Sequence, residues 1–174
     1  MDKNEGQPDF QSLYRALYAD IYRFIFGMTG NGAEAEDLTQ ETFLKLFQHM
    51  RRNGGLTNHK AWTYRVATNL TCNLLKRRTI FRKLLDRQTI SHVDHNDAER
   101  QCMKDQEAKR VREALGNLSL RDRSILLLYQ ENLSYHEIAC ALGIKYSSVG
   151  KILSRARGKL IKRLQQGEHN EMPK

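Results

Sequence analysis

Apolar residues recur at helical spacing along nearly the whole chain, and no stretch shows a convincing strand alternation. Phe10, Tyr14, Leu17, Ile21 and Ile25 fall on one helical face, which Tyr18, Tyr22 and Phe26 widen. This spacing predicts a first helix packed against a core. Gly27, Gly30 and Gly32 predict the break that follows it. A second helix is predicted from Ala33 to Met50, with Ala35, Leu38, Leu46 and Met50 inward. Asn53, Gly54 and Gly55 predict the next break. The third helix is predicted from Lys60 to Arg78, with Trp62, Val66, Leu70 and Leu74 inward.

The pattern fails between Leu84 and Lys104, where Ser91, His92, Asp94, His95, Asn96 and Asp97 cluster. That segment predicts a linker. Helical patterning resumes at Gln106, with Val111 and Leu115 inward. Ser119 is placed to cap a helix that runs through Ile125, Leu128 and Tyr129. The most specific local pattern follows. Ser134 and Glu137 have capping-box spacing, so a helix should start at Tyr135. Ile138, Ala139 and Leu142 give it an apolar face, and Gly143 stands where a left-handed C-cap is wanted, with Ile144 folding back. Val149, Leu153, Ala156 and Leu160 then mark a second helix. The pair predicts a helix-turn-helix. The fold class is therefore all-α, two small helical domains (1–83 and 105–174) joined by a flexible linker (84–104), the C-terminal domain being the helix-turn-helix.

Charge sharpens this picture. The 174 residues carry 29 Lys and Arg against 20 Asp and Glu, a formal net charge of +9. An excess of that size favours a polyanionic partner. Tyr146, Ser147, Ser148, Lys151, Arg155 and Arg157 lie between the apolar positions of the last helix. Short polar groups and cations on one outer face suit the major groove. In the third helix and at its end, Trp62, Tyr64, Arg65, Asn69 and Asn73 precede Lys76, Arg77, Arg78, Arg82 and Lys83. Aromatics stack on unpaired bases, amides meet base edges and cations follow the backbone. The alternative places Trp62, Tyr64 or both in the core. Asp37, Gln40, Glu41, Leu44 and Gln48 form a polar stripe around a leucine, which is either a docking surface or a solvated face.

Other chemistry finds little support. The 3 cysteines, Cys72, Cys102 and Cys140, lack CxxC spacing and fit a reduced, cytoplasmic compartment. No apolar run is long enough to insert in a membrane, and the N-terminus lacks a signal-peptide layout. Asp37 with Glu41, or His92 with His95 and Cys102, could be imagined on a metal, but neither set has the spacing of an established site. No phosphate loop or nucleophile elbow occurs. The expectation is no metal, no cofactor and no enzymatic activity.

Taken together, the motifs resemble those of bacterial RNA polymerase sigma factors of the extracytoplasmic-function class. The stretch from Ala35 to Leu44 is similar to the family's core-polymerase-binding helix. The stretch from Ala61 to Asn69 is similar to its promoter-melting helix. Leu115 to Leu118 with Arg123, then Leu133 to Arg157, is similar to its second domain. The resemblance implies that Asp37, Gln40, Glu41 and Leu44 bind core polymerase at the clamp helices, and that the second domain meets the flap. It implies that Asn53, Lys60, Trp62, Tyr64, Arg65, Asn69, Asn73, Lys76 and Arg77 serve the minus-ten element, with Asn69 holding a flipped base. It implies that Tyr146, Ser147, Ser148, Lys151, Arg155 and Arg157 lie along the minus-thirty-five element. The implied partners are core RNA polymerase, promoter DNA and a cognate anti-sigma factor. The linker would leave the spacing of the two domains unfixed until polymerase sets it. The competing expectation is a stand-alone helix-turn-helix regulator, which would need a dimer interface or an effector pocket in the first domain.

Overall fold

The computed structural model describes residues 9–52, 58–86 and 104–170. Among these residues there are seven helices and no strand: α1 Phe10–Thr29, α2 Gly32–Arg52, α3 His59–Asp86, α4 Lys104–Gly116, α5 Leu120–Gln130, α6 Tyr135–Leu142 and α7 Tyr146–Asn170. The expected linker lies largely outside the described residues, as do Asn53, His92, His95 and Cys102.

Helix ends follow local chemistry. Asp9 accepts from Ser12 N and opens α1. Asn31 and Asn58 cap α2 and α3, accepting from Glu34 N at 3.1 Å and Ala61 N at 2.8 Å. Ser119 caps α5 as expected. The capping box of Ser134 and Glu137 is formed in full, and Gly143 closes α6 in the left-handed region. Gly27 departs from expectation. Instead of marking the break it stays helical, and α1 ends at Gly30 (φ +70°), whose N–H donates to Phe26 O. The helix passes through Gly27 because the absence of a side chain lets another helix approach there. A Cβ at Gly27 would meet Leu127 Cδ2 at 2.9 Å.

The first unit, α1 to α3, packs Ile21, Phe24, Ile25, Met28, Phe43 and Leu46 into its centre. Five threonines join these apolar side chains, in α2 (Thr39, Thr42) and α3 (Thr63, Thr68, Thr71). Each hydroxyl donates to the carbonyl four residues back, which makes its burial tolerable. On α3 the buried face is Ala61, Tyr64, Ala67, Thr68 and Thr71. Trp62, Val66, Leu70 and Leu74, expected inward, are flanking and half-buried. Small residues win the central positions because α3 is packed on two sides, by α1 and α2 and by α6. It also runs past Arg78, carrying Ile80, Phe81 and Leu84 exposed.

The second unit packs α4 to α7 around Ile125, Leu128, Ile138, Val149, Leu153 and Ala156. Leu115 is inward, whereas Val111 is exposed. The two units do not stand apart. α5 lies on α1, α6 lies along α3, and one continuous apolar cluster runs through both. The expectation of an unfixed spacing is therefore corrected for the free chain: side-chain contacts, independent of the connection between α3 and α4, hold the units together.

Candidate nucleic-acid interface

Three exposed stripes emerge from this packing. The first is on α2. Phe43, Leu46, Thr39 and Thr42 turn inward, which leaves Asp37, Gln40, Glu41 and Leu44 on the outside. Leu44 is 55% exposed. Glu41 pairs with Lys45 at 3.3 Å, and Gln40 donates to Glu36 at 3.1 Å. Glu36 also accepts from the Tyr18 hydroxyl at 2.6 Å, which pushes the Tyr18 pKa up to about 12, with burial adding to the effect. The stripe therefore stands on a braced helix, with Tyr14, Tyr18 and Phe43 in mutual ring contact beneath it.

The second stripe is on α3. Arg65, Asn69, Asn73, Lys76 and Arg77 are all exposed. The first four recur at steps of three or four, so they share one side of the helix. Trp62 is half-buried and stacks on His49, with centroids 4.6 Å apart. Lys60 is half-buried near Glu137 of the second unit. Tyr64 is different. It is fully buried, its ring set edge-on to Phe24 at 5.7 Å. Burial and the nearby Glu131 push its hydroxyl well above the usual tyrosine range. A DNA-facing position for Tyr64 is thus not available in this arrangement, because its side chain is fully buried against Phe24 of α1.

The third stripe is on α7, the second helix of the helix-turn-helix. Val149, Leu153 and Ala156 are buried, so Tyr146, Ser147, Lys151, Ser154 and Arg155 face outward. Ser148 is half-buried, and its N–H donates to Lys145 O. Arg157 lies over the Tyr129 ring at 4.4 Å, a cation–π contact that partly commits it to the fold. Lys159 Nζ donates to Asp122 Oδ2 at 2.6 Å and ties α7 to α5.

Burial alone would raise the Asp122 pKa, but Lys159 and Ser119 outweigh it and hold the carboxyl below its ordinary value. A depressed folded pKa contributes stability that is complete above the unfolded aspartate value and is lost as pH falls through the folded one. The stability gap between wild type and Asp122→Asn should therefore shrink on acidification through that window, as read by urea midpoints. The gap should be about 1 kcal/mol or less near neutrality, since Lys159 is solvent-exposed.

Sequence reasoning missed the asparagine caps and the buried threonines. It also missed the part played by Arg123, whose guanidinium donates to Met28 O at 2.7 Å and Leu115 O at 2.8 Å. Among the described residues no group of three or more His, Cys, Asp or Glu is placed to hold a metal. No described helix is long and apolar enough to cross a membrane.

Residues 13–80 match the family model for sigma-70 region 2, and residues 108–160 match that for sigma-70 region 4. RNA polymerase sigma factor YlaC of Bacillus subtilis is 27% identical over 92% of this chain and 95% of its own length. The ECF RNA polymerase sigma factor SigL of Mycobacterium tuberculosis is 30% identical over 79% of this chain and 81% of its own. Among solved structures, RpoE of Bartonella quintana, determined with the anti-sigma factor NepR, superposes with a TM-score of 0.70 at 23% identity, covering 90% of this chain and 97% of that one. CnrH, determined with the cytosolic domain of CnrY, gives 0.69 at 20% identity, covering 90% and 88%. At those identities the likeness is one of fold.

Proposed function

The chain belongs to the extracytoplasmic-function class of RNA polymerase sigma factors, and from that premise we propose a division of labour among its three exposed stripes. As a sigma factor it binds core RNA polymerase, directs it to promoters and helps to melt the DNA there. Its contribution is binding energy and placement, with no bond chemistry of its own. The α2 stripe of Asp37, Gln40, Glu41 and Leu44 docks on the polymerase clamp helices. The α3 stripe of Arg65, Asn69, Asn73, Lys76 and Arg77, flanked by Lys60 and Trp62, engages the minus-ten element, with Asn53 contributing from the preceding loop. The α7 stripe of Tyr146, Ser147, Ser148, Lys151, Arg155 and Arg157 follows the minus-thirty-five element.

Residues 1–83 form the first functional domain, 84–104 the connection and 105–174 the second. The chain works in the cytoplasm, beside polymerase. A cognate anti-sigma factor is a further partner, by analogy with the neighbours solved with NepR and CnrY. The observation that carries the assignment is the outward set of the stripes: on α2 and α7 Thr39, Phe43, Leu46, Val149, Leu153 and Ala156 are buried, while Asp37, Gln40, Glu41, Tyr146, Ser147, Lys151 and Arg155 are exposed.

Run-off transcription with core polymerase on a genomic fragment library tests the whole assignment. Specific transcripts that require the chain are the expected result. Their absence, together with tight duplex binding by the chain alone, would favour the stand-alone regulator. Within that assay the two DNA stripes should fail differently. Asn69→Ala should impair opening, read by permanganate footprinting, with near-normal closed-complex binding. Arg155→Ala should weaken the closed complex first, by about 1–3 kcal/mol if it makes a bidentate base contact.

A further inference from the structure

The first helix of the helix-turn-helix carries two metal-ligating side chains that the function proposed above does not use. His136 and Cys140 stand four residues apart on α6, so both project from one face, a turn apart. Both are exposed, and Cys140 Sγ lies 3.9 Å from His136 Nδ1. The buried side of α6 is formed by Ile138, Ala139 and Ala141, so neither side chain is needed for packing. The helix that carries them is fixed at both ends, by the capping box of Ser134 and Glu137 and by the left-handed Gly143.

Their separation is close to the one a metal asks for. Zinc binds thiolate sulfur at about 2.3 Å and imidazole nitrogen at about 2.0–2.1 Å, which in a tetrahedron sets sulfur and nitrogen about 3.6 Å apart. A small rotamer adjustment closes the difference. Thiolate with imidazole selects zinc and similar borderline-soft cations over magnesium or calcium, which prefer oxygen. With the ring proton on Nε2, Nδ1 presents its lone pair, and the Cys140 thiol releases its proton to solvent as the sulfur–metal bond forms. Two ligands fill half a tetrahedron, and among the described residues no group of three or more His, Cys, Asp or Glu is placed to hold a metal. Water would complete the site only weakly. A second copy completes it with the same pair, related by a two-fold axis through the metal. Gly143, exposed and three residues beyond Cys140, adds no side chain to obstruct that approach.

We propose that His136 and Cys140 are half of a two-cysteine, two-histidine site, which binds a zinc-class cation between two copies of the chain and joins them through α6. In helix-turn-helix docking the first helix crosses the DNA backbone. A copy held on α6 therefore keeps duplex away from α7, and the metal acts as an off-switch for promoter binding. That consequence rests on the assignment of α7 proposed above; the site itself does not.

Cobalt(II) titration of the full chain, with a non-thiol reductant present to prevent disulfides, reads the site directly. The expected result is a near-ultraviolet thiolate-to-cobalt charge-transfer band that saturates at one cobalt per two chains, with a sedimentation mass that doubles in step. Cys140→Ser should lose the band and stay monomeric. His136→Ala should bind cobalt at least about tenfold more weakly, the cost of losing even an outer partner of a metal site. Helicity should hold in both, since the two positions are exposed. Cys102→Ser should titrate like wild type. No band in the wild type, a band that survives Cys140→Ser, wild-type affinity in His136→Ala or saturation at one cobalt per monomer would each overturn the site. Zinc should also reduce run-off transcripts from the wild type and spare those from Cys140→Ser, and equal sensitivity of the two would overturn the switch. Transcripts absent even without zinc would instead overturn the functional assignment, and the switch with it, whatever the cobalt titration shows.

Discussion

Leu44→Asp is expected to bind core polymerase at least about thirtyfold more weakly than wild type while unfolding at the same urea concentration. Leu44 is 55% exposed in the middle of a polar stripe, so the fold loses little when it changes. Solvent-facing substitutions usually shift stability by less than about 0.5 kcal/mol. At a docking surface the same residue is the apolar anchor, and truncating a central anchor costs about 2 kcal/mol or more. A carboxylate adds the cost of burying a charge in the complex. Gln40→Ala with Glu41→Ala should produce a smaller, several-fold loss, as expected of the polar rim of such a surface. Fluorescence titration against core polymerase and urea denaturation check the two halves of the expectation. Wild-type affinity in Leu44→Asp would reduce the stripe to a solvated face.

Tyr64 should separate packing from polarity. Tyr64→Ala is expected to lose about 3–5 kcal/mol, since a fully buried aromatic ring leaves a cavity against Phe24 and the helices around it. Tyr64→Phe should be neutral or stabilising. The Tyr64 hydroxyl is buried with no hydrogen-bond partner among the described residues. Removing an unpartnered polar atom removes a desolvation cost of about 1–3 kcal/mol, of which some fraction should be recovered. Urea denaturation of both variants reads this directly. A marked loss of stability in Tyr64→Phe would mean that the hydroxyl has a partner in solution, water included.

The stripes on α2 and α7 were legible in the sequence because each is a periodic pattern on one helix. Val149, Leu153 and Ala156 recur at helical steps, so the residues between them had to face elsewhere. On α3 legibility failed in part. Hydrophobicity pointed to Trp62, Val66, Leu70 and Leu74, yet Ala61, Tyr64, Ala67, Thr68 and Thr71 hold the centre. Threonine looks polar as a residue type, but its hydroxyl satisfies itself on its own helix and leaves a methyl to pack. Tyr64 fits either a base stack or a core by composition, and its burial involves Phe24 of α1, forty residues earlier in the chain.

What the sequence determined alone is the set of helices, their caps at Ser119 and Ser134, the stop at Gly143 and the helix-turn-helix they build. Those features depend on bonds and contacts within about four residues, which a linear pattern records. The tertiary structure decided which face of α3 is inside, why Gly27 lacks a side chain, and that Arg123 closes the end of a helix 95 residues away. Such contacts join surfaces whose chain separation carries no periodic signal. They join what each helix leaves exposed on its own unit to its complement on the other.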